Sequence, residues 1–401
     1  MKKKKMRIAV IAICFCLIIN AIPAFAEETS AVYPLPYDFE EYWFTEASAF
    51  SGSFDAKAAL LMEAGTGTVI YSSNENGKLP IASVTKIMCT LLITEAIDSG
   101  KIALTDTVTV SERAASMGGS QIFLEPNEQM TVNDLLKSLI VVSANDASVA
   151  LAEYVYGSEE SFIDAMNRRA AELGMNNTHF ANTTGLDDPD HYSTAYDIAV
   201  MTRELLKHEL IFDYTMIWMD TVRNGAFGLS NTNRLIRFYP GANGMKTGFT
   251  DKAMYCLSGT AKRDGMQLIA VVLGAKTSDE RFKAVKSMLD YGFANYSVFI
   301  PEKLRIEPVY VSGGGKQYIE AEYKAPVILT DKGTQGRIVQ TVEIDGNITA
   351  PVRAGDTVGK VNYTLDGRII SVTYVYAKEE SARITFWQIF TKILGNIFAL
   401  C

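Results

Sequence analysis

Apolar positions along this chain follow two rhythms, one of period two and one near 3.6, and the switches between them mark its elements. Residues 58–63 and 68–72 are apolar and strand-like, separated by Ala64-Gly65-Thr66-Gly67, which reads as a hairpin turn. From Pro80 to about Ile97 the period becomes helical, and Gly100 closes the segment. Further helical patterns cover 132–142, 147–156, 161–173 and 195–207. Residues 253–261 and 266–274 then read as strands joined by Lys262-Arg263-Asp264-Gly265, whose Asp-Gly pair predicts a tight hairpin. A helix over 279–291 ends this part near Val298.

From Pro301 to Val375 the segments are short and β-branched, with Gly-rich turns at 313–315, Gly346, Gly355 and Gly367. That texture predicts a small all-β domain over 301–378. It holds no catalytic constellation, which leaves it a spacer or a docking surface. No internal repeat is present.

The two ends break both rhythms. Four lysines precede an apolar run over 8–19 and then Pro23-Ala24-Phe25-Ala26, a small-residue cleavage pattern. Residues 1–26 therefore read as a secretory signal peptide, the run being short for a bilayer span. An aromatic, acidic lead-in over 27–50 shows no periodicity and stays unassigned. At the other end, 381–401 places Phe386, Phe390, Ile393, Ile397 and Leu400 on one helical face, with Gln388, Lys392 and Asn396 opposite. Trp387 and the phenylalanines suit a headgroup boundary, so the segment is expected to anchor the protein on a membrane surface. Docking on the protein's own core or on a second copy is the alternative, since amphipathicity alone does not name the apolar surface.

Composition narrows the function. The 401 residues suffice for one large domain and a smaller one, and 48% hydrophobic with 21% charged residues is ordinary globular usage. A net charge of -8 without a basic patch argues against nucleic acid as a partner. Cys14 and Cys16 fall in the signal segment, and Cys89, Cys256 and Cys401 cannot make a disulfide framework. Cys89 and Cys256 sit in apolar patterns and read as buried small hydrophobes. The three histidines, His179, His191 and His208, lack His-Glu-x-x-His spacing, and no Gly-x-Ser-x-Gly turn occurs, so neither a zinc site nor a Ser-His-Asp hydrolase is indicated. No cofactor or metal is expected.

Three short elements carry candidate chemistry: Ser83-Val84-Thr85-Lys86, Ser143-Ala144-Asn145 and Lys246-Thr247-Gly248. A Ser-x-x-Lys match alone arises by chance roughly once or twice in a chain this long. Order and context raise it: the first stands at a helix start, the second between two helices, and the third leads into a strand. Residues at i and i+3 share a helix face, so Lys86 can reach Ser83 and serve as its base once its pKa of about 10.4 is lowered by burial and a second cation, for which Lys246 is the candidate. The helix N-terminus favours negative charge developing beside Ser83. Ser143 is expected to relay a proton to the leaving amine, and Asn145 to hold Lys86 and a substrate amide. Lys246 and Thr247 suit a terminal carboxylate, Gly248 a closely approaching substrate backbone, and the Phe249 N–H an oxyanion hole shared with that of Ser83.

The three motifs together resemble those of penicillin-recognising serine enzymes, the superfamily of penicillin-binding proteins and serine β-lactamases. Similarity to the low-molecular-mass D-alanyl-D-alanine carboxypeptidases extends through Pro80-Ile81-Ala82, Thr184-Gly185-Leu186-Asp187, Ser193-Thr194-Ala195-Tyr196-Asp197, Asn231-Thr232-Asn233 and Lys246-Thr247-Gly248-Phe249-Thr250. The resemblance implies an α/β (α+β) transpeptidase-like domain over 51–298, an antiparallel sheet flanked by helices, followed by the β-rich domain and the anchor. It also implies peptidoglycan stem peptides as substrate, β-lactam antibiotics as acylating ligands, and a place outside the cytoplasmic membrane. The middle motif departs from the Ser-Asp-Asn of class A β-lactamases, and no match to their deacylating glutamate is found. Rival readings are an endopeptidase cutting cross-links, a β-lactamase, and a non-catalytic, membrane-anchored wall-binding protein.

Overall fold

The computed structural model describes residues 50, 52 and 54–391. The expected signal peptide, nearly all of the lead-in and residues 392–401 of the expected anchor lie outside them.

Five antiparallel strands make the central sheet, in the order Val69–Ser73, Ala58–Glu63, Met266–Ala275, Met254–Arg263 and Ala242–Thr250. Both faces are covered, and period-two alternation sorts the side chains between them. Ala58, Leu60 and Met62, with Ile269, Val271 and Leu273, enter one core. Ala59 and Leu61, with Leu268, Ala270 and Val272, enter the other. The first core lies under the helices Lys86–Asp98, Val132–Val141, Asn145–Tyr156, Glu159–Glu172 and Ala195–Leu205. The helix Ser278–Asn295 covers the second, where Phe50, at the end of the lead-in, and Phe54 just after it also pack.

Caps set several helix starts. Thr131, Ser158, Thr194 and Thr277 each accept a backbone N–H from three residues on, and Thr277 with Glu280 completes a capping box. Ser158 thereby opens its helix two residues before the apolar periodicity begins. The helix Lys86–Asp98 is buried from Lys86 through Thr94, and Thr90 and Thr94 satisfy their hydroxyls on carbonyls one turn back. Surrounded on all sides, it gives its polar groups a dry setting.

Beyond this unit, Tyr296–Phe299 pairs with Ile328–Asp331, so the chain crosses into the β-rich segment through a shared ladder. Four strands then form a sheet in the order Ala321–Glu322, Arg368–Ala377, Thr357–Leu365 and Ile338–Ile344, over a third core. Residues 386–391 begin a helix that Thr385 and Gln388 cap reciprocally. Phe386 and Trp387 are each 70% exposed there. Among the described residues no helix is long and apolar enough to cross a membrane.

Candidate active site

The first motif opens in a tight 3-10 turn, Ala82–Thr85, ahead of the α-helix, so Ser83 stands in that turn and Lys86 is the first α-helical residue. Ala82 has φ of 48°, the left-handed region. Two glycines make room for the turn. A Cβ on Gly185, itself at φ +82°, would lie 1.9 Å from the Ala82 carbonyl oxygen. One on Gly248 would lie 2.8 Å from the Ile81 carbonyl oxygen and 3.0 Å from the Ser83 nitrogen. The close approach that Gly248 permits within the free protein is thus that of the serine turn to the strand.

Lys86 is fully buried, and its Nζ donates to Asn145 Oδ1 at 2.6 Å, to the Thr184 carbonyl at 2.8 Å and to Ser83 Oγ at 3.1 Å. Burial pushes its pKa down to about 7, against the partial pull of Cys89 and Asp146. A neutral amine keeps two hydrogens, which the two shorter bonds hold in place. Its lone pair then faces Ser83 Oγ, reversing the third bond so that the serine donates. While Lys86 is charged, the Ser83 hydroxyl has the Thr184 carbonyl as acceptor at 3.3 Å.

Ser143 and Ala144 lie between two helices, and Asn145 begins the second. The Asn145 acceptor holds Lys86, while its Nδ2 donates to the Gly118 carbonyl at 2.6 Å and its backbone N–H to that of Ser120 at 2.7 Å. Asp146, fully buried, fastens the same loop by accepting the N–H groups of Ile122 at 3.0 Å and Leu124 at 3.1 Å. Ser143, at φ 65° and 4% exposed, has an Oγ with no hydrogen-bond partner among the described residues. Structure therefore joins Ser83, Lys86 and Asn145 directly, and leaves the Ser143 hydroxyl unengaged.

Lys246-Thr247-Gly248 lies inside the edge strand Ala242–Thr250 and does not merely precede it. Lys246 stands in a row with Ser258, Val271 and Leu60 across the sheet, and so faces the helical core that holds Lys86. Both lysines border one small void walled by Ile87, Ile140, Leu205 and Met245. Burial, then Lys86, then Arg281 hold the Lys246 amine well below its ordinary pKa. Burial is the leading cause for both amines, and the repulsion between neighbouring cations acts on the pair as a whole. Thr247 Oγ1 donates to Thr232 Oγ1 at 2.8 Å. Arg281, 6% exposed, donates to the carbonyls of Gly248 at 3.0 Å and Cys256 at 3.1 Å, tying the edge strand to its neighbour. Phe249 is 51% exposed and stacks on Tyr255 with centroids 4.4 Å apart. As the sheet's last strand, 242–250 has no strand beside its outer edge among the described residues, an edge on which an extended peptide can add.

Four contributors were not singled out from the sequence: the Thr184 carbonyl, Asp146, Thr232 and Arg281. Thr184 and Thr232 do lie in segments that carry the family resemblance.

The sequence model of the family described as D-alanyl-D-alanine carboxypeptidase matches residues 44–277, and that described as penicillin-binding protein 5, C-terminal domain, matches 299–383. The D-alanyl-D-alanine carboxypeptidase DacF of Bacillus subtilis is 45% identical over 349 residues, covering 85% of this chain and 90% of that protein. Penicillin-binding protein 5 from Haemophilus influenzae superposes with a TM-score of 0.77 at 32% identity, over 83% of this chain and 99% of that one. Penicillin-binding protein D2 from Listeria monocytogenes, solved in its ampicillin-bound form, has a TM-score of 0.55 at 31% identity, over 60% of this chain and 98% of that one.

Proposed function

The chain belongs to the D-alanyl-D-alanine carboxypeptidase family, and on that premise we propose that Ser83 is the nucleophile with which it removes the terminal D-alanine from peptidoglycan stem peptides. It is a serine-type carboxypeptidase of the penicillin-binding class. The observation that carries the assignment to Ser83 is the buried Lys86 amine, anchored by Asn145 and Thr184 with its remaining direction on Ser83 Oγ at 3.1 Å.

Neutral Lys86 takes the Ser83 proton as Oγ forms its bond to the carbonyl carbon of the penultimate D-alanine. The carbonyl oxygen becomes the tetrahedral oxyanion, received by the N–H groups of Ser83 and Phe249. Ser143, whose hydroxyl is free to engage, gives its proton to the leaving nitrogen and takes in its place the one Lys86 acquired, as the C–N bond breaks and D-alanine departs, leaving Lys86 neutral. Water then releases the acyl group and Ser83 recovers its proton. Lys246 and Thr247 receive the terminal carboxylate, while Asn145 and the strand edge orient the peptide. Penicillins acylate the same serine, a reading supported by the ampicillin-bound relative.

We take 51–298 as the catalytic domain, 301–378 as a β-rich module and 381–401 as an interfacial anchor on the outer face of the cytoplasmic membrane. Three separate hydrophobic cores and the exposed Phe386 and Trp387 support that division. The test is product analysis with purified protein on a pentapeptide ending in D-Ala-D-Ala. Free D-alanine from wild type and none from Ser83→Ala is the expected result. Cleavage of cross-linked dimer without release of D-alanine would favour the endopeptidase, and rapid turnover of penicillin the β-lactamase.

A further inference from the structure

Beneath the serine turn lies a buried histidine that the proton-transfer scheme leaves unused. His191 is 3% exposed, and its Nδ1 accepts the N–H of Ala181 at 3.1 Å. Burial pushes its pKa down to about 4; Asp188 and Asp187 pull it back, while His179 and Lys86 push it further. A neutral imidazole accepting at Nδ1 carries its hydrogen on Nε2. Nε2 therefore donates to Thr85 Oγ1, 2.7 Å away. The fully buried Thr85 hydroxyl passes its own hydrogen to the Ala82 carbonyl at 2.8 Å. A directed relay thus runs from the 181–191 segment to the residue just before Ser83.

That carbonyl needs holding. Ala82 sits at φ 48°, where an alanine is strained. Its C=O and the Ser83 N–H belong to one planar trans peptide unit and point in opposite directions, so fixing the oxygen aims the N–H. Gly185 packs against the same carbonyl, where a Cβ would lie 1.9 Å from the oxygen. We propose that His191, acting through Thr85, is a positioning residue that locks the Ala82–Ser83 peptide plane and so holds the Ser83 N–H on the substrate's carbonyl oxygen. This rests on Ser83 being the nucleophile and its N–H an oxyanion donor.

Acylation by a fluorescent penicillin, resolved into non-covalent affinity and the acylation rate constant, tests the proposal. Thr85→Val keeps the side chain's shape and removes both bonds, whereas Thr85→Ser keeps them. Thr85→Val is expected to slow acylation by about tenfold to a hundredfold, below the loss of an oxyanion donor itself, with affinity within about threefold and Thr85→Ser close to wild type. Wild-type acylation in Thr85→Val, or equal losses in the two variants, overturns the proposal. A second pair leaves the turn untouched. His191→Gln, whose amide has an acceptor and a donor, should retain more acylation than His191→Leu, and equal loss again overturns it. Failure of wild type itself to be labelled would instead remove the nucleophile reading beneath.

Discussion

Lys86 has three acceptors around its amine but is fully buried, and that conflict sets its chemistry. With its pKa lowered to about 7, the ammonium predominates below that pH and the amine above it. The acylation rate constant should therefore climb about tenfold per pH unit up to about 7 and level off beyond, as a single basic group requires. A stopped-flow profile that is flat between about pH 5 and 9 would deny Lys86 the role of base. Lys86→Arg, which cannot deprotonate, should lose acylation at every pH. At this scale the sequence was informative about which side chains meet: Ser83, Lys86 and Asn145, which are hydrogen-bonded together, and Lys246, which borders the same void as Lys86, stood out by motif and order. It was silent on the Thr184 carbonyl, because every residue has a carbonyl and only the tertiary fold brings this one to Lys86 across 98 positions. Asp146 was hidden for a related reason: its partners are the backbone N–H groups of a loop more than twenty residues away.

Turns and strands, more than helices, decide how the site closes. Gly185 and Gly174 both have positive φ, at 82° and 74°, but only Gly185 has backbone where a Cβ would go. Gly174→Ala meets open space and should cost about 1–2 kcal/mol in strain with acylation unchanged. Gly185→Ala adds a clash with the Ala82 oxygen and should abolish penicillin labelling and lower Tm much further. Thermal melts and labelling of the two variants check this, and equal behaviour would show that the packing against the serine turn is not what matters. Helices and long strands were legible because they bury one face or both over several periods. Boundaries moved where a cap outranked hydrophobicity, as at Ser158. The pairs Thr107–Thr109 with Gln129–Thr131, and Met219–Val222 with Phe227–Ser230, escaped because three or four residues give no period to count. The third motif was placed ahead of a strand and proves to lie within one, since buried Lys246 and Thr247 look polar in sequence.

Across the molecule, the candidate site and the terminal aromatic cluster lie in separate stretches of the chain. The site draws on residues between Ser83 and Arg281, while the aromatic cluster of Phe386, Trp387 and Phe390 begins the terminal helix. Truncation before Ile384 should release the protein from membrane fractions with pentapeptide hydrolysis intact; unchanged fractionation would defeat the anchor reading. Two domains are the expectation from the sequence; the Tyr296–Phe299 ladder with Ile328–Asp331 was not foreseen, because a strand's partner is not written in its own period. What the site geometry predicts first is acylation of Ser83. Its most direct test is peptide mapping by mass spectrometry after incubation with penicillin. One adduct on the peptide that contains Ser83, absent from Ser83→Ala, is the predicted result. No adduct on wild type, an adduct on another residue, or undiminished labelling of Ser83→Ala would contradict it.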